Sequence, residues 1–207
     1  MHQLYVGTCQ TDITPELPVI LGGMFRKYPV DQVLDPLYAS SVAVDNGETT
    51  AVLISCDLGI VQRDTVAYIR RQIEAITGVP GEQVCVMSTH THTYPNMGIE
   101  SIYTKADVAA VKRIADLIVS SAVTAIQNKI PARMGYGKGF VNRCATNRRY
   151  IMSNGKSKMH PTGMNNPDRL MVEGPADKEV QVAWFEDLDG NFLSVLVNFA
   201  SHPTIYY

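Results

Sequence analysis

With 207 residues, 45% of them hydrophobic and 18% charged, the chain has enough apolar material to bury a sizeable core. A net charge of -2 and the lack of any Lys/Arg run or aromatic-basic alternation exclude a nucleic-acid partner held through its phosphates. No apolar run approaches membrane-spanning length, so no transmembrane segment is expected.

The first residues, Met1-His2-Gln3-Leu4-Tyr5-Val6, lack the charged and apolar regions of a secretory signal. A cytoplasmic location is therefore expected, with a processed, secreted form as the alternative. Cys9, Cys56, Cys85 and Cys144 form no CxxC pair, which argues against a disulfide framework or a thiolate zinc site. Cys56 and Cys85 sit in apolar runs and are expected in the core.

In chain order, residues 37–44 and 50–56 are β-rich runs flanking Asp45-Asn46-Gly47-Glu48, the signal of an antiparallel hairpin. Val66, Ile69, Ile73 and Ile76 have helical spacing, which predicts a helix over 63–77 that Gly78 and Pro80 stop. A short buried strand is expected at 83–88. A second helix is expected over 105–127, with Val108, Val111, Ile114, Ile118, Ala122 and Ile126 on one face and Pro131 beyond its end.

Residues 142–177, rich in Gly, Pro, Asn, Arg and Met, have no sustained periodicity and predict a long irregular loop. Residues 180–185 and 192–199 flank Asp187-Leu188-Asp189-Gly190, a second hairpin. Strands and helices mix without strict βαβ alternation. The expected fold is one α+β domain over 1–207, with mixed, largely antiparallel sheets, flanking helices and a site at strand ends.

Chemistry concentrates after two strands. Ser88-Thr89-His90-Thr91-His92-Thr93-Tyr94-Pro95 follows the strand ending near Met87. Histidines at i and i+2 of an extended segment lie on one side, where neutral imidazoles can converge on a metal or a substrate. An isolated HxH is as often an ordinary hydrogen-bonded pair. Here a second motif, Ala200-Ser201-His202-Pro203-Thr204, also follows a strand, and Pro203 restricts His202 to extended conformations. His2 and His160 lack such settings and are expected to be solvent-exposed.

Taken in order, these motifs resemble the neutral/alkaline non-lysosomal ceramidase family. Val6-Gly7-Thr8 with Thr11-Asp12-Ile13-Thr14-Pro15 is similar to its opening VGxxxxDITP. Ser55-Cys56-Asp57-Leu58-Gly59 is similar to its SxDLG, and Thr89-His90-Thr91-His92-Thr93 to its THTHS. Asn147-Arg148-Arg149-Tyr150 is similar to the NRR loop of shorter bacterial members, Gly174-Pro175-Ala176-Asp177-Lys178-Glu179-Val180 to GPxDxEV, and Asn198-Phe199-Ala200-Ser201-His202-Pro203 to NFAxHP.

The resemblance implies the N-terminal part of a larger, Zn2+-dependent catalytic domain that cleaves an N-acyl amide such as ceramide or another lipid amide. It implies His90 and His202 as zinc ligands, with His92 facing the substrate for proton transfer or oxyanion stabilisation. A glutamate and a tyrosine beyond Tyr207 complete the family's site, so neither Tyr206 nor Tyr207 is assigned as a ligand. Arg148 matches the family's substrate-side arginine, and Asn142-Arg143 offers a competing pair. Where ceramide-cleaving members carry Ser-Gly-Pro-Gly-Gly, this chain has Thr93-Tyr94-Pro95-Asn96-Met97-Gly98. Tyr94 and Met97 are therefore expected to reshape the acyl pocket.

The implied mechanism is metal-assisted amide hydrolysis, with His92 moving the proton and Arg148 or Arg143 stabilising negative charge. Asp57 is expected either to orient a ligand imidazole or, preferentially, to cap local backbone. Met152, Met159, Met164 and Met171 are expected to pack the loop. The HxHxDH run of metallo-β-lactamase-like enzymes is absent, because Tyr94 and Pro95 stand where Asp-His belongs. Paired hairpins contradict a barrel amidohydrolase. The alternative outside hydrolysis is an incomplete fragment or non-enzymatic binding domain that keeps the fold. Sequence leaves the oligomeric state open.

Overall fold

Two turn signals and two amphipathic stretches organise the chain as expected. The computed structural model describes residues 3–22, 28–98, 106–163 and 165–203. Expectations placed on His2, the helix start at Lys105, Met164, Tyr206 and Tyr207 lie outside these residues. The structure divides into two compact units: Met1–Met134 with Trp184–Ser194 and Pro203–Tyr207, and Gly135–Ala183 with Val195–His202.

In the first unit, β1 (Leu4–Asp12), β2 (Tyr38–Asp45) and β3 (Thr50–Cys56) form an antiparallel meander, with Val6 opposite Val44 and Val42 opposite Leu53. The β2–β3 turn is the Asn46-Gly47 hairpin, where Gly47 has φ 88° and Asp45 Oδ1 accepts the Gly47 N–H at 2.7 Å. α1 (Arg63–Thr77) then crosses to β4 (Val84–Ser88), which lies parallel to β3. That parallel pair is a βαβ unit embedded in an otherwise antiparallel arrangement, so the fold class is α+β with mixed sheets.

α1 ends as its sequence predicts: Gly78 adopts the left-handed conformation and donates to Glu74 O. α2 (Val108–Gln127) starts on Asp107, whose carboxylate accepts from the Ala109 and Ala110 N–H groups. α2 packs on β1, β2 and β3, and α1 packs on α2. Ile114, Ile118, Ala122 and Ala125 of α2 meet Ala39, Ala43, Ile54 and Cys56 of the sheet in one core cluster with Ile69 and Ile73 of α1. Val108, expected on this face, is 79% exposed because it belongs to the first turn of the helix. Ser121 and Ser41 are polar residues buried beside this core: Ser121 donates to Ala39 O at 3.1 Å and shares a 2.8 Å bond with Ser41.

β5 (Ile130–Phe140), β9 (Glu179–Asp187) and β10 (Phe192–Phe199) complete a seven-stranded order β10-β9-β5-β1-β2-β3-β4. The Asp187–Gly190 turn joins β9 to β10 as expected, closed by the Asn191 N–H donating to Asp187 Oδ1 at 2.8 Å. β1 and β5 are strands that the sequence concealed. Pro131 and the alternate glycines 135, 137 and 139 mask β5, although Pro131 is tolerated at its beginning. No helix among the described residues is long and apolar enough to cross a membrane.

The second unit corrects the irregular loop predicted for 142–177. Within it, β6 (Arg149–Met152), β7 (Ser157–Met159) and β8 (Arg169–Val172) form a three-stranded antiparallel sheet in the order β7-β6-β8. Strands of three or four residues are too short for period-two alternation to emerge, and the sheet is held largely by polar ties. Arg149 pairs with Glu173, which also accepts from the Ser157 hydroxyl. Asn147 Nδ2 donates to Gly174 O at 3.1 Å. Of the methionines expected to pack the loop, Met152 is buried, whereas Met159 and Met171 are exposed.

Candidate metal centre

Because β3 and β4 are parallel and in register, with Cys56 opposite Ser88, their carboxyl ends leave the sheet side by side. Ligand sites in parallel sheets are built at such ends. Asp57-Leu58-Gly59 continues from β3 and Thr89-His90 from β4, and the two segments are stitched together. Thr89 N–H donates to Cys56 O at 2.9 Å and His90 N–H to Leu58 O at 3.0 Å.

The third stitch uses a side chain: His90 Nδ1 lies 2.7 Å from Gly59 O. A carbonyl oxygen only accepts, so Nδ1 carries the proton and the neutral ring keeps its lone pair on Nε2. A backbone carbonyl that fixes the tautomer in this way is a common support for a metal-ligating imidazole.

The expected extended HxH is corrected. His90 has φ 63°, in the left-handed region that few non-glycine residues occupy. This turn, rather than strand alternation, sets the two rings edge to face, with centroids 5.1 Å apart and planes at 85°. Ring nitrogens of His90 and His92 lie within 4.8 Å of one another. Neutral imidazole nitrogens are donors that zinc accepts, so the residue chemistry fits a cation held at this loop. His90 is exposed and His92 half-buried.

Asp57 takes the structural role. Its Oδ2 accepts the Tyr38 N–H at 3.0 Å, and its own N–H donates to Tyr38 O at 2.9 Å. This reciprocal pair extends the β2–β3 ladder, and Gly59 instead orients the imidazole. No single-sequence signal marks Gly59 for that task beyond its place in the Ser55–Gly59 motif.

Tyr94 and Met97, expected to reshape an acyl pocket, are core residues at 3% and 1% exposure. Burial pushes the Tyr94 hydroxyl pKa up. Cys56 is buried, with its thiol pushed up to about 12 by desolvation and then by the Asp57 charge. Cys85, expected beside it, is exposed because alternation along β4 turns it outward.

On its other side the histidine loop borders an apolar cavity of about 420 Å³ in the first unit, walled by Leu17, Val19, Leu21, Leu34 and Leu37. Thr91, Thr93 and Asp57 contribute its polar rim.

The second unit carries the remaining candidates. His202 follows the end of β10 and is exposed. The Ser201 hydroxyl, one residue earlier, donates to Cys144 O at 3.1 Å, bringing this segment beside the Arg143 loop. Arg148 Nη1 lies 3.0 Å from His160 Nε2, so His160, exposed as expected, has a partner that sequence did not suggest. Arg143 is exposed.

No family model matches the sequence. Among solved structures, neutral ceramidase from Pseudomonas aeruginosa superposes with a TM-score of 0.75 at 22% identity, covering 95% of this chain and 31% of that one. A ceramidase complexed with C2 gives a TM-score of 0.71 at 21% identity, with the same two coverages. The chain has the ceramidase fold. It spans 31% of the length of these neighbours.

Proposed function

We propose that the chain is the N-terminal part of a larger ceramidase-like catalytic domain, a zinc-dependent hydrolase that cleaves the N-acyl amide bond of a sphingolipid such as ceramide or of another lipid amide. The observation that carries this reading is the 2.7 Å contact between His90 Nδ1 and Gly59 O, which presents Nε2 as a ligand beside His92. In this reading His202 joins His90 as a ligand, and the remaining ligands come from sequence beyond Tyr207. The ceramidase fold of the solved neighbours supports it.

Zinc, when bound there, would supply a Lewis acid that makes water a nucleophile near neutral pH. His92 would hold the proton to be delivered to the departing amine. Arg148 or Arg143 stabilises the negative charge that develops on the scissile carbonyl. The apolar cavity bordered by Thr91 and Thr93 matches an acyl chain in character, which favours a lipid amide over a peptide. Four free cysteines suit the reducing cytoplasm, the location we assign.

The test is zinc content and N-acyl amide hydrolysis by the complete gene product carrying His90→Ala or His202→Ala. Loss of both zinc and turnover in each variant is expected; retained zinc in His90→Ala would overturn the assignment. A complete product that binds zinc and lipid amides without hydrolysing them would instead favour the binding-domain alternative.

A further inference from the structure

Tyr94 sits four residues after His90, with its ring buried against two glycines. A Cβ on Gly59 would fall 2.1 Å from Tyr94 Cε1 and 2.5 Å from Cζ, and one on Gly22 would fall 3.0 Å from Cε2. The Tyr94 backbone is held as well, its carbonyl accepting the Gly22 N–H at 2.8 Å. Leu21 and Pro95 form an antiparallel bridge immediately beside this contact. The aromatic plate is thus clamped between Gly22 and Gly59, and no side chain larger than hydrogen fits at position 59 while the ring is present.

Gly59 is also the residue whose carbonyl accepts the hydrogen bond from His90 Nδ1–H. We propose that Tyr94 is a positioning residue for His90: its ring, seated on Gly59, fixes the carbonyl that selects the Nδ1–H tautomer and so leaves the lone pair on Nε2. Packing transmits the effect, and the tyrosine hydroxyl has no part in it. The consequence for zinc affinity rests on the zinc reading above; the tautomer does not.

Long-range ¹H–¹⁵N spectra of the complete, histidine-labelled gene product, without metal and at a pH of about 8 where an ordinary imidazole is neutral, report each ring's tautomer. The wild type is expected to show His90 as the Nδ1–H form, with cross-relaxation between the Tyr94 ring protons and the Gly59 Hα. A wild-type His90 in the Nε2–H form, or no such cross-relaxation, overturns the proposal without recourse to any variant.

Tyr94→Phe should match the wild type, since it keeps the ring. Tyr94→Leu should move His90 toward a mixture of tautomers while the His160 signals stay in place. Gly59→Ala should do the same, and Gly59→Ala combined with Tyr94→Leu should add little to Tyr94→Leu alone, because the two changes break one contact. An unchanged His90 tautomer in folded Tyr94→Leu, or full additivity, sinks the idea.

Zinc titration of the complete gene product against a chromophoric chelator should show affinity about 10- to 100-fold weaker for Tyr94→Leu. Altered tautomers with no zinc uptake even by the wild type would leave the positioning role standing and remove the zinc reading. Zinc uptake equal in wild type and Tyr94→Leu, despite altered tautomers, would end the claim that this contact serves the metal.

Discussion

Gly7 of β1 and Ala125 of α2 approach so closely that a Cβ added to Gly7 would lie 2.0 Å from the Ala125 carbonyl oxygen. Backbone faces backbone there, so no flexible side chain can yield. Gly7→Ala must push α2 away from the sheet or distort β1. A loss of about 1–3 kcal/mol, toward the upper end, is expected in urea unfolding. A Gly7→Ala midpoint equal to wild type would mean that α2 does not sit on β1 as described.

The Ser41–Ser121 pair spans β2 and α2 with both side chains buried. Removing one hydroxyl leaves the other with fewer partners, at a cost of about 1–3 kcal/mol. Ser41→Ala with Ser121→Ala should cost less than the sum of the single changes. A double-mutant cycle with zero coupling energy would contradict the shared bond.

Arg149 and the Ser157 hydroxyl hold Glu173 down to about 2 from its ordinary 4.5. A depressed carboxylate contributes stability that is complete above about 4.5 and lost as pH falls toward 2. Since the pair is exposed, the effect is modest and screened by salt. Amide exchange in β6 and β8 should rise over that window in the wild type and be flat in Glu173→Gln. Equal pH dependence in the two proteins would assign the transition to another group.

Cys85 and Cys56 should separate cleanly in thiol chemistry. Exposed Cys85 is expected to react with a chromogenic disulfide in the folded protein, whereas Cys56, buried and pushed up to about 12, should react only on unfolding. Protection of Cys85 in the native state would restore the original expectation of a core residue.

In the complete gene product, His92→Ala should retain zinc and lower kcat by about 10²- to 10⁴-fold, the range for a lost general acid or base. If Arg148 or Arg143 stabilises the oxyanion as proposed, its variant should lose about 10²- to 10³-fold. The other should change turnover little. Loss of zinc in His92→Ala would make that residue a ligand, a role its ring distance to His90 permits.

Much of the framework was legible without coordinates. The hairpin around Asn46-Gly47, α1 with its Gly78 stop and the β9–β10 turn are specified by neighbours in sequence. Turn chemistry and helical periodicity act over a few residues, and those residues carry them openly. The small sheet of β6, β7 and β8 escaped because its strands are short and its ties, such as Arg149 with Glu173, join residues far apart in the chain.

For the site, sequence by itself determined which residues could do chemistry: paired histidines after one strand, another after a second, and arginines in a polar stretch. Tertiary structure alone decided how His90 is held, because the parallel pairing of β3 with β4 brings Gly59 to it across 31 residues of chain. It also decided that Tyr94 is a core residue clamping that glycine and that Cys85 faces outward. Side-chain burial and the partner of a ring nitrogen depend on which strands become neighbours, and that adjacency is a property of the packed sheet, which no local pattern encodes.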